Sequence, residues 1–326
     1  QNGGSESPLA LVAHLDHPGL EIIATGPGNH AKAALLGGVP PACFERPVPV
    51  LISSRSQTVA GTIVGYETDP KTNRVASLAL HVQGSIAAGD FGVFDLTGFH
   101  ATGGTIQMRA ADDLVGVAAA LLAMQEIQRR GIAATVYGVF TRAEEIGLVG
   151  ASLVAEGALL PAETIIVSLE CSKALPGAEP GRGPVIRVGD RTSAFHPEGE
   201  AVLLAARERI PDVPVQRQLM SGGTCEATAF GQRQYRTTGV AIPLVNYHNV
   251  GPDEVIAPEQ IQTSDFLGEV ALLVAAAEVV DTRPVSTVTR GLEAAVNRYR
   301  ERLIATAGEF QALAKAPRPD GGGSAG

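Results

Sequence analysis

The sequence predicts an α/β fold: a three-layer, mostly parallel sheet with helices on both faces, interrupted by a small β-barrel-like insertion. Three observations predict it. After about residue 105, continuous apolar strand-length runs alternate with helical patterns, the signature of a helix-covered parallel sheet. An apolar run at residues 9–15 has the same buried-strand character, although it lies far upstream. Between the two, short strand-forming segments punctuated by Gly and Pro suggest a barrel or sandwich.

The elements follow in order. Residues 9–15 read as a buried strand. Val48–Ile52, Gly61–Tyr66, Ala76–Val82 and Gly92–Leu96 read as the β-rich segment. The texture changes at Asp112. Residues 114–130 form an apolar helix pattern that stops at Arg129-Arg130-Gly131, with basic residues and a glycine where a helix C-terminus favours them. Strands are expected at Ala134–Phe140, Thr164–Leu169, Gly183–Val188 and Thr238–Ile242. Helices are expected at Gly147–Ala158, Pro197–Arg209 and Pro258–Val280. A last helix runs from about Val288 to Lys315. It carries a stripe at Leu292, Val296, Tyr299, Leu303, Phe310 and Leu313 that either docks on the body or meets a partner. The division expected is residues 1–24 and 105–285 as one discontinuous α/β domain, 25–104 as the insertion, 286–316 as an extra helix and 317–326 as a disordered tail.

Composition narrows the function. The chain has 326 residues, enough for two domains at ~150 residues each. Hydrophobic residues make up 45% and charged residues 18%, which excludes global disorder. The net charge is −9 and no Lys/Arg run occurs, so a nucleic-acid partner is not expected. Aromatics at 4%, with no Trp, also leave few stacking platforms for single strands. No apolar run reaches the ~18 residues of a membrane span. The three cysteines, Cys43, Cys171 and Cys225, lack ligand-like spacing and do not form a disulfide framework. A reducing, cytoplasmic location is therefore expected.

Five acidic or imidazole clusters stand near strand ends, where open α/β sheets build their sites. His14-Leu15-Asp16 closes the first strand; residues i and i+2 share a face, so Asp16 can support His14. Asp112-Asp113 precedes a helix; capping accounts for one carboxylate but not for both. Glu144-Glu145 follows a strand; adjacent buried carboxylates repel, and a cation relieves one and leaves the other as a base. Glu170 follows an apolar strand, where a charge costs free energy unless paired or bound to metal. His248 stands in a Gly/Asn loop. Singly, each has an ordinary explanation as a polar strand end, a cap or a structural histidine. Together, two His and three carboxylates suit two divalent ions, Zn²⁺ first, with Co²⁺ and Mn²⁺ compatible.

These motifs resemble the dinuclear-metal aminopeptidases of clan MH, in particular the glutamyl and deblocking aminopeptidase family, whose members are sometimes mislabelled as endoglucanases. The resemblance is carried by His14-Leu15-Asp16, Arg109…Asp112-Asp113…Gly116, Glu144-Glu145-Ile146-Gly147, Gly183-Pro184-Val185-Ile186, Gly222-Gly223-Thr224 and His248, over roughly residues 9–280. Roughly 90 residues between Asp16 and Asp112 match that family's inserted β-rich domain. The resemblance implies a zinc-peptidase-like fold with a cis peptide at Asp112–Asp113. It implies His14 and Glu170 at one metal, Glu145 and His248 at the other, and Asp112 bridging both. Glu144 would be the general base, and Asp16 would orient His14. It further implies peptide substrates, trimming from the N-terminus, and homo-oligomers formed through the insertion. Four features differ from the family pattern: His17 after Asp16, Glu170 in place of Asp, Cys225-Glu226 after Gly222-Gly223-Thr224, and only 13 residues before His14. Glu170 is more typical of carboxypeptidase and deacylase relatives, which is the alternative enzyme reading. The short front and the extra helix motivate a third reading, a catalytically dead homologue kept as a binding or assembly module.

Overall fold

Six consecutive buried residues, Leu9–His14, form the first strand, β1. In the computed structural model, which describes residues 4, 6–55, 57–282 and 287–315, six further strands follow. They are β2 (Gly19–Thr25), β3 (His30–Leu36), β4 (Val48–Ser54), β5 (Gln57–Thr68), β6 (Val75–Val82) and β7 (Phe91–Phe94). β8 (His100–Thr102) and β9 (Thr105–Met108) lead into helix α1 (Ala111–Arg130). Then come β10 (Val136–Thr141), α2 (Val149–Glu156), β11 (Ile165–Lys173), β12 (Val185–Arg187), α3 (Pro197–Arg209) and β13 (Gln216–Gln218). The chain continues with α4 (Glu226–Gly231), β14 (Arg236–Leu244), β15 (Glu259–Gln262), α5 (Thr263–Val279) and α6 (Thr287–Lys315).

The main sheet runs β10-β1-β11-β14-β12-β13. β10, β1, β11 and β14 are parallel; β12 is antiparallel to β14. Alternation along β1 explains why it is apolar throughout. Leu9, Leu11 and Ala13 pack with Ala119, Ala123 and Ile127 of α1 and Leu272 of α5. Ala10 and Val12 pack with Ala151 and Ala155 of α2 and Phe230 of α4. Both faces are therefore covered by helices, as the continuous apolar runs predict. Fully burying one such aliphatic side chain contributes about 1.5–3 kcal/mol.

β2 to β7 close into a six-stranded barrel in the order β2-β3-β6-β5-β4-β7. Its interior is aliphatic, with Leu20, Ile22, Ile52, Ile63, Leu78 and Leu80 buried around Phe94. β2 and β3 carry no strong strand signal in the sequence, since the Ala-rich run of β3 reads no more like strand than helix. A small third sheet, β15-β9-β8, flanks the site.

Two element expectations are corrected. Pro258–Val280 is not one helix: Glu259–Gln262 is a strand paired with β9, and α5 starts at Thr263. A proline before four residues looks like a helix start, but Glu259 and Ile261 alternate inward with period two. Thr164–Leu169 is also too short for β11, which continues to Lys173 beside β14, so Glu170 lies within the strand. Pairing of β1 with β11 stops at Ser168. The stretch beyond it is open on that side, which forms a crevice at the carboxyl ends of the strands, where such sheets bind ligands.

Residues Gln1–Pro284 form one compact unit and Val285–Gly326 another. In the second unit, α6 leaves Leu292, Val296, Tyr299 and Leu303 exposed. The side chains of Phe310 and Leu313, and the tail 317–326, lie outside the described residues. Among the described residues no helix is long and apolar enough to cross a membrane.

Candidate metal centre

Five of the seven sequence candidates, Asp112, Glu144, Glu145, Glu170 and His248, line one cleft of about 760 Å³ together with Gly38 and Val39, and the other two, His14 and Asp16, contact them. His14 ends β1 and is 1% exposed. Its Nδ1 lies 2.9 Å from the Asp16 main-chain carbonyl, so Nδ1–H donates there and Nε2 is left for the acidic cluster. Nε2 faces Asp112 Oδ1 at 3.4 Å and Glu144 Oε2 at 3.9 Å. His14, Asp112 and Glu145 each offer a ligand atom, all within 4.8 Å of one another, a group able to hold a metal ion.

Asp112 precedes the regular part of α1, after an Ala110 without helical geometry, and the Asp112–Asp113 peptide bond is cis. Its carboxylate lies between the two histidines: Oδ1 near His14, and Oδ2 3.8 Å from His248 Nε2. His248 Nε2 is also 3.2 Å from Glu145 Oε2, and His248 Nδ1 lies 3.0 Å from the Gly38 carbonyl. The rings of Tyr247 and His248 stack with centroids 3.7 Å apart. Asp112 Oδ1 and Glu145 Oε1 are buried with no hydrogen-bond partner. A native fold rarely leaves such oxygens orphaned. Buried, anionic and adjacent to imidazole nitrogens, they fit a divalent cation.

Asp16 acts on more than His14. Its Oδ1 accepts from Glu144 N at 3.1 Å and its Oδ2 from Glu145 N at 3.2 Å. One carboxylate thus holds the turn that carries both glutamates, while Asp16's carbonyl orients the imidazole. Glu170 is buried, with Oε1 accepting from Ser168 Oγ at 3.3 Å.

The electrostatics follow from burial of many carboxylates together. Burial, then the charge of Glu170, pushes Glu144 up to about 10. Burial raises Glu170 to about 8, against the pull of Arg187. Burial alone would lower His248, but Glu145 and Asp112 carry it up to about 9. His14 is likewise raised against burial, by Asp112 first. In effect, the cluster holds protons where positive charge is needed.

Sequence reasoning missed the groups beneath the cluster. Glu259, fully buried, accepts from Asp112 N through Oε2 and from His248 N through Oε1, both at 2.9 Å. His17 Nδ1 lies 2.6 Å from the Asp112 carbonyl and its Nε2 2.9 Å from Asn249 Oδ1, while Asn249 Nδ2 donates to the Arg109 carbonyl. Asp112 is therefore gripped at both its N–H and its C=O. No local motif marks Glu259; the one available signal was an acid opening an alternating strand.

A parallel sheet with a barrel between its first strand and the Asp-Asp turn, and a His/carboxylate cluster at its carboxyl edge, defines a metallopeptidase-like class. A family model described as M42 glutamyl aminopeptidase matches residues 1–265, and the chain belongs to this family. A curated Acetivibrio thermocellus protein that bears the provisional name of an aminopeptidase is 31% identical over 126 residues. That match covers 37% of this chain and 37% of the relative's length. Among solved structures, a TET aminopeptidase from a marine-sediment thaumarchaeote superposes with TM-score 0.73 at 19% identity, covering 87% of this chain and 86% of that one. The Pyrococcus horikoshii TET1 peptidase gives 0.70 at 22% identity, covering 85% of each chain. At these identities the structural likeness establishes the fold alone.

Proposed function

We propose that the chain is a metal-dependent aminopeptidase that hydrolyses N-terminal residues from peptides. The carrying observation is the Asp112 carboxylate between His14 and His248, with buried orphan oxygens on Asp112 and Glu145. Family membership supports the same class. In this reading His14 and Glu170 hold one divalent ion, Glu145 and His248 hold the other, and Asp112 serves both. Zn²⁺ suits this donor set, and Co²⁺ or Mn²⁺ are compatible.

Such ions, when bound, supply Lewis-acid polarisation of the scissile carbonyl and acidify water. The chain's own residues do the rest. Glu144, whose Oε2 faces His14 Nε2, takes the proton of the attacking water and passes it to the leaving amine nitrogen. Its raised pKa falls once cations replace the protons of the cluster. Asp16 fixes Glu144 and Glu145 through their main-chain N–H groups. The expected boundary at residue 24 moves forward, because β2 (Gly19–Thr25) already belongs to the barrel: the segments before Gly19 and from 105 to 285 would serve as the catalytic domain, and the barrel segment between them as an insertion controlling access and association. Assembly of the TET1 relative into a tetrahedron or an octahedral shell supports a homo-oligomer here.

Chelation should abolish turnover of aminoacyl arylamides, and Zn²⁺, Co²⁺ or Mn²⁺ should restore it. N-acetylated versions of the same substrates should remain uncleaved. Turnover indifferent to chelator, or none on any N-terminal residue, would overturn the proposal; cleavage of only the acetylated series would replace it with a deacylase.

A further inference from the structure

The barrel carries a pair of imidazoles that the proposed reaction does not use. β3 and β6 are antiparallel neighbours, and His30 stands directly opposite His81 in their register. Along β3 the burial alternates, with Ala31 and Ala33 packed inward and His30 and Lys32 outward. Along β6, Leu80 and Val82 point inward and His81 outward. Both imidazoles therefore stand on the outer face of the barrel, and both are exposed. A strand rises about 3.3 Å per residue, so His30 lies roughly 16 Å along β3 from Leu35, which lines the cleft.

Directly opposed residues of an antiparallel pair hold their Cβ atoms about 4.5–5.5 Å apart. The two rings meet edge to face, with centroids 5.6 Å apart and planes 79° apart. Two imidazoles that share one ion at about 2.0–2.1 Å, at a tetrahedral angle, have centroids about 5 Å apart. A small side-chain adjustment therefore converts the observed pair into a two-histidine chelate. The surroundings do not oppose it. Among the described residues neither imidazole has a hydrogen-bond or ion-pair partner. Lys32, two residues along β3, is neutralised by Glu67 at 2.8 Å. Thr62 of β5, which pairs with His81, adds only a neutral hydroxyl on the third strand. Without an ion, protonation of both rings would set like charges directly opposite each other, which destabilises a strand pair.

We propose that His30 and His81 form a two-histidine site for a transition-metal ion, separate from the carboxylate-rich centre. Two neutral nitrogen donors select Cu²⁺, Ni²⁺ or Zn²⁺ over Mg²⁺, Ca²⁺ or Mn²⁺, with Cu²⁺ bound tightest. Binding through one ring makes the second contact intramolecular, which raises the pair above a single exposed histidine. The remaining coordination positions face solvent and hold water. The site depends only on β3 and β6, so it stands whether or not the peptidase reading holds.

The test uses the untagged full chain after chelator treatment and compares wild type with H30N, H81N and H100N. His100, exposed on β8, is the single-histidine control. Equilibrium dialysis against Ni²⁺ and against Zn²⁺ counts ions per chain. Wild type should hold one ion more per chain than H30N or H81N, at concentrations where H100N matches wild type. H30N and H81N should each weaken the binding of that ion tenfold or more. Retention on an immobilised Ni²⁺ column should fall in both and persist in H100N. Both substituted positions are exposed, so metal-free melting temperatures should match wild type, and the dialysis then reads coordination rather than folding.

Equal ion counts in wild type, H30N and H81N would overturn the proposal. Loss in only one of the two would overturn the chelate. A loss in H100N equal to that in H81N would also overturn it, because binding would then be spread over single surface histidines.

Discussion

Glu226 presents the residue-scale problem in its simplest form. It is fully buried at the start of α4, accepts a hydrogen bond from Thr141 Oγ1 through Oε1, and has no partner for Oε2. Burial raises its pKa from 4.5 to about 7, against the Thr141 hydrogen bond. The sign is that of a carboxyl group that keeps its proton longer folded than unfolded. Its contribution is favourable below pH 4.5 and is lost as pH climbs from 4.5 to about 7, by roughly 3 kcal/mol. Glu226→Gln keeps an acceptor for Thr141 and removes the ionisation. Thermal unfolding of the metal-free protein between pH 4.5 and 8 should show a shallower loss of stability in the variant, which should be the more stable protein at pH 8. Parallel profiles for variant and wild type would contradict this. Such a residue was not legible as chemistry, because Cys225-Glu226 looked only like a departure from a familiar motif. The residues that were legible, from His14 to His248, were so because charges at the ends of apolar strands have few inexpensive explanations. Arg187 and Glu259 stayed hidden because their meaning depends on which strand lies beside them.

At the scale of elements, the short strand β15 does what the expected helix could not. As a strand it sets Glu259 under two separate turns, one ending in Asp112 and the other in His248. A single carboxylate then fixes the spacing of both, and His17 with Asn249 grips Asp112 from the opposite side. Glu259→Gln retains one acceptor but turns an amide N–H₂ toward the second N–H, so one of the two turns is released. Loss of a group that supports a ligand typically costs about 10- to 100-fold in metal affinity. Competition of the protein against a zinc-sensitive chelator dye should show weakening of that size. The melting temperature of the metal-free variant tells whether the fold is intact. Unchanged metal affinity would mean that the turns hold their geometry without Glu259. The parallel core was legible because strands buried on both faces must be apolar throughout. β2, β3, β8 and β15 were not, because each is short or half-exposed and takes its conformation from the partner strand.

At the scale of the whole molecule, the proposed homo-oligomer raises the question of which surface would join one copy to another. The family match ends at residue 265, and α6 lies in a separate unit beyond it. The barrel offers a different surface. Glu21 pairs with Phe91, and Ile23 of the same strand and Phe91 are 47% and 60% exposed. Exposed apolar side chains grouped on a β-surface mark an association site more often than single ones do. If the barrel carries assembly, a chain ending at Pro284 should retain the oligomeric order of the full chain in light scattering, because only the extra helix is removed. Phe91→Glu should lower that order, since it sets a charge opposite Glu21, where a buried interface would leave it unpaired. The opposite pair of results, a monomeric truncation and an unaffected Phe91 variant, would transfer assembly to the stripe of α6. Access to the cleft should follow the same partition, because Gly38 and Val39 of the barrel side line it. Phe91→Glu should therefore change KM for long peptides more than for aminoacyl arylamides, whereas removal of α6 should leave both unchanged.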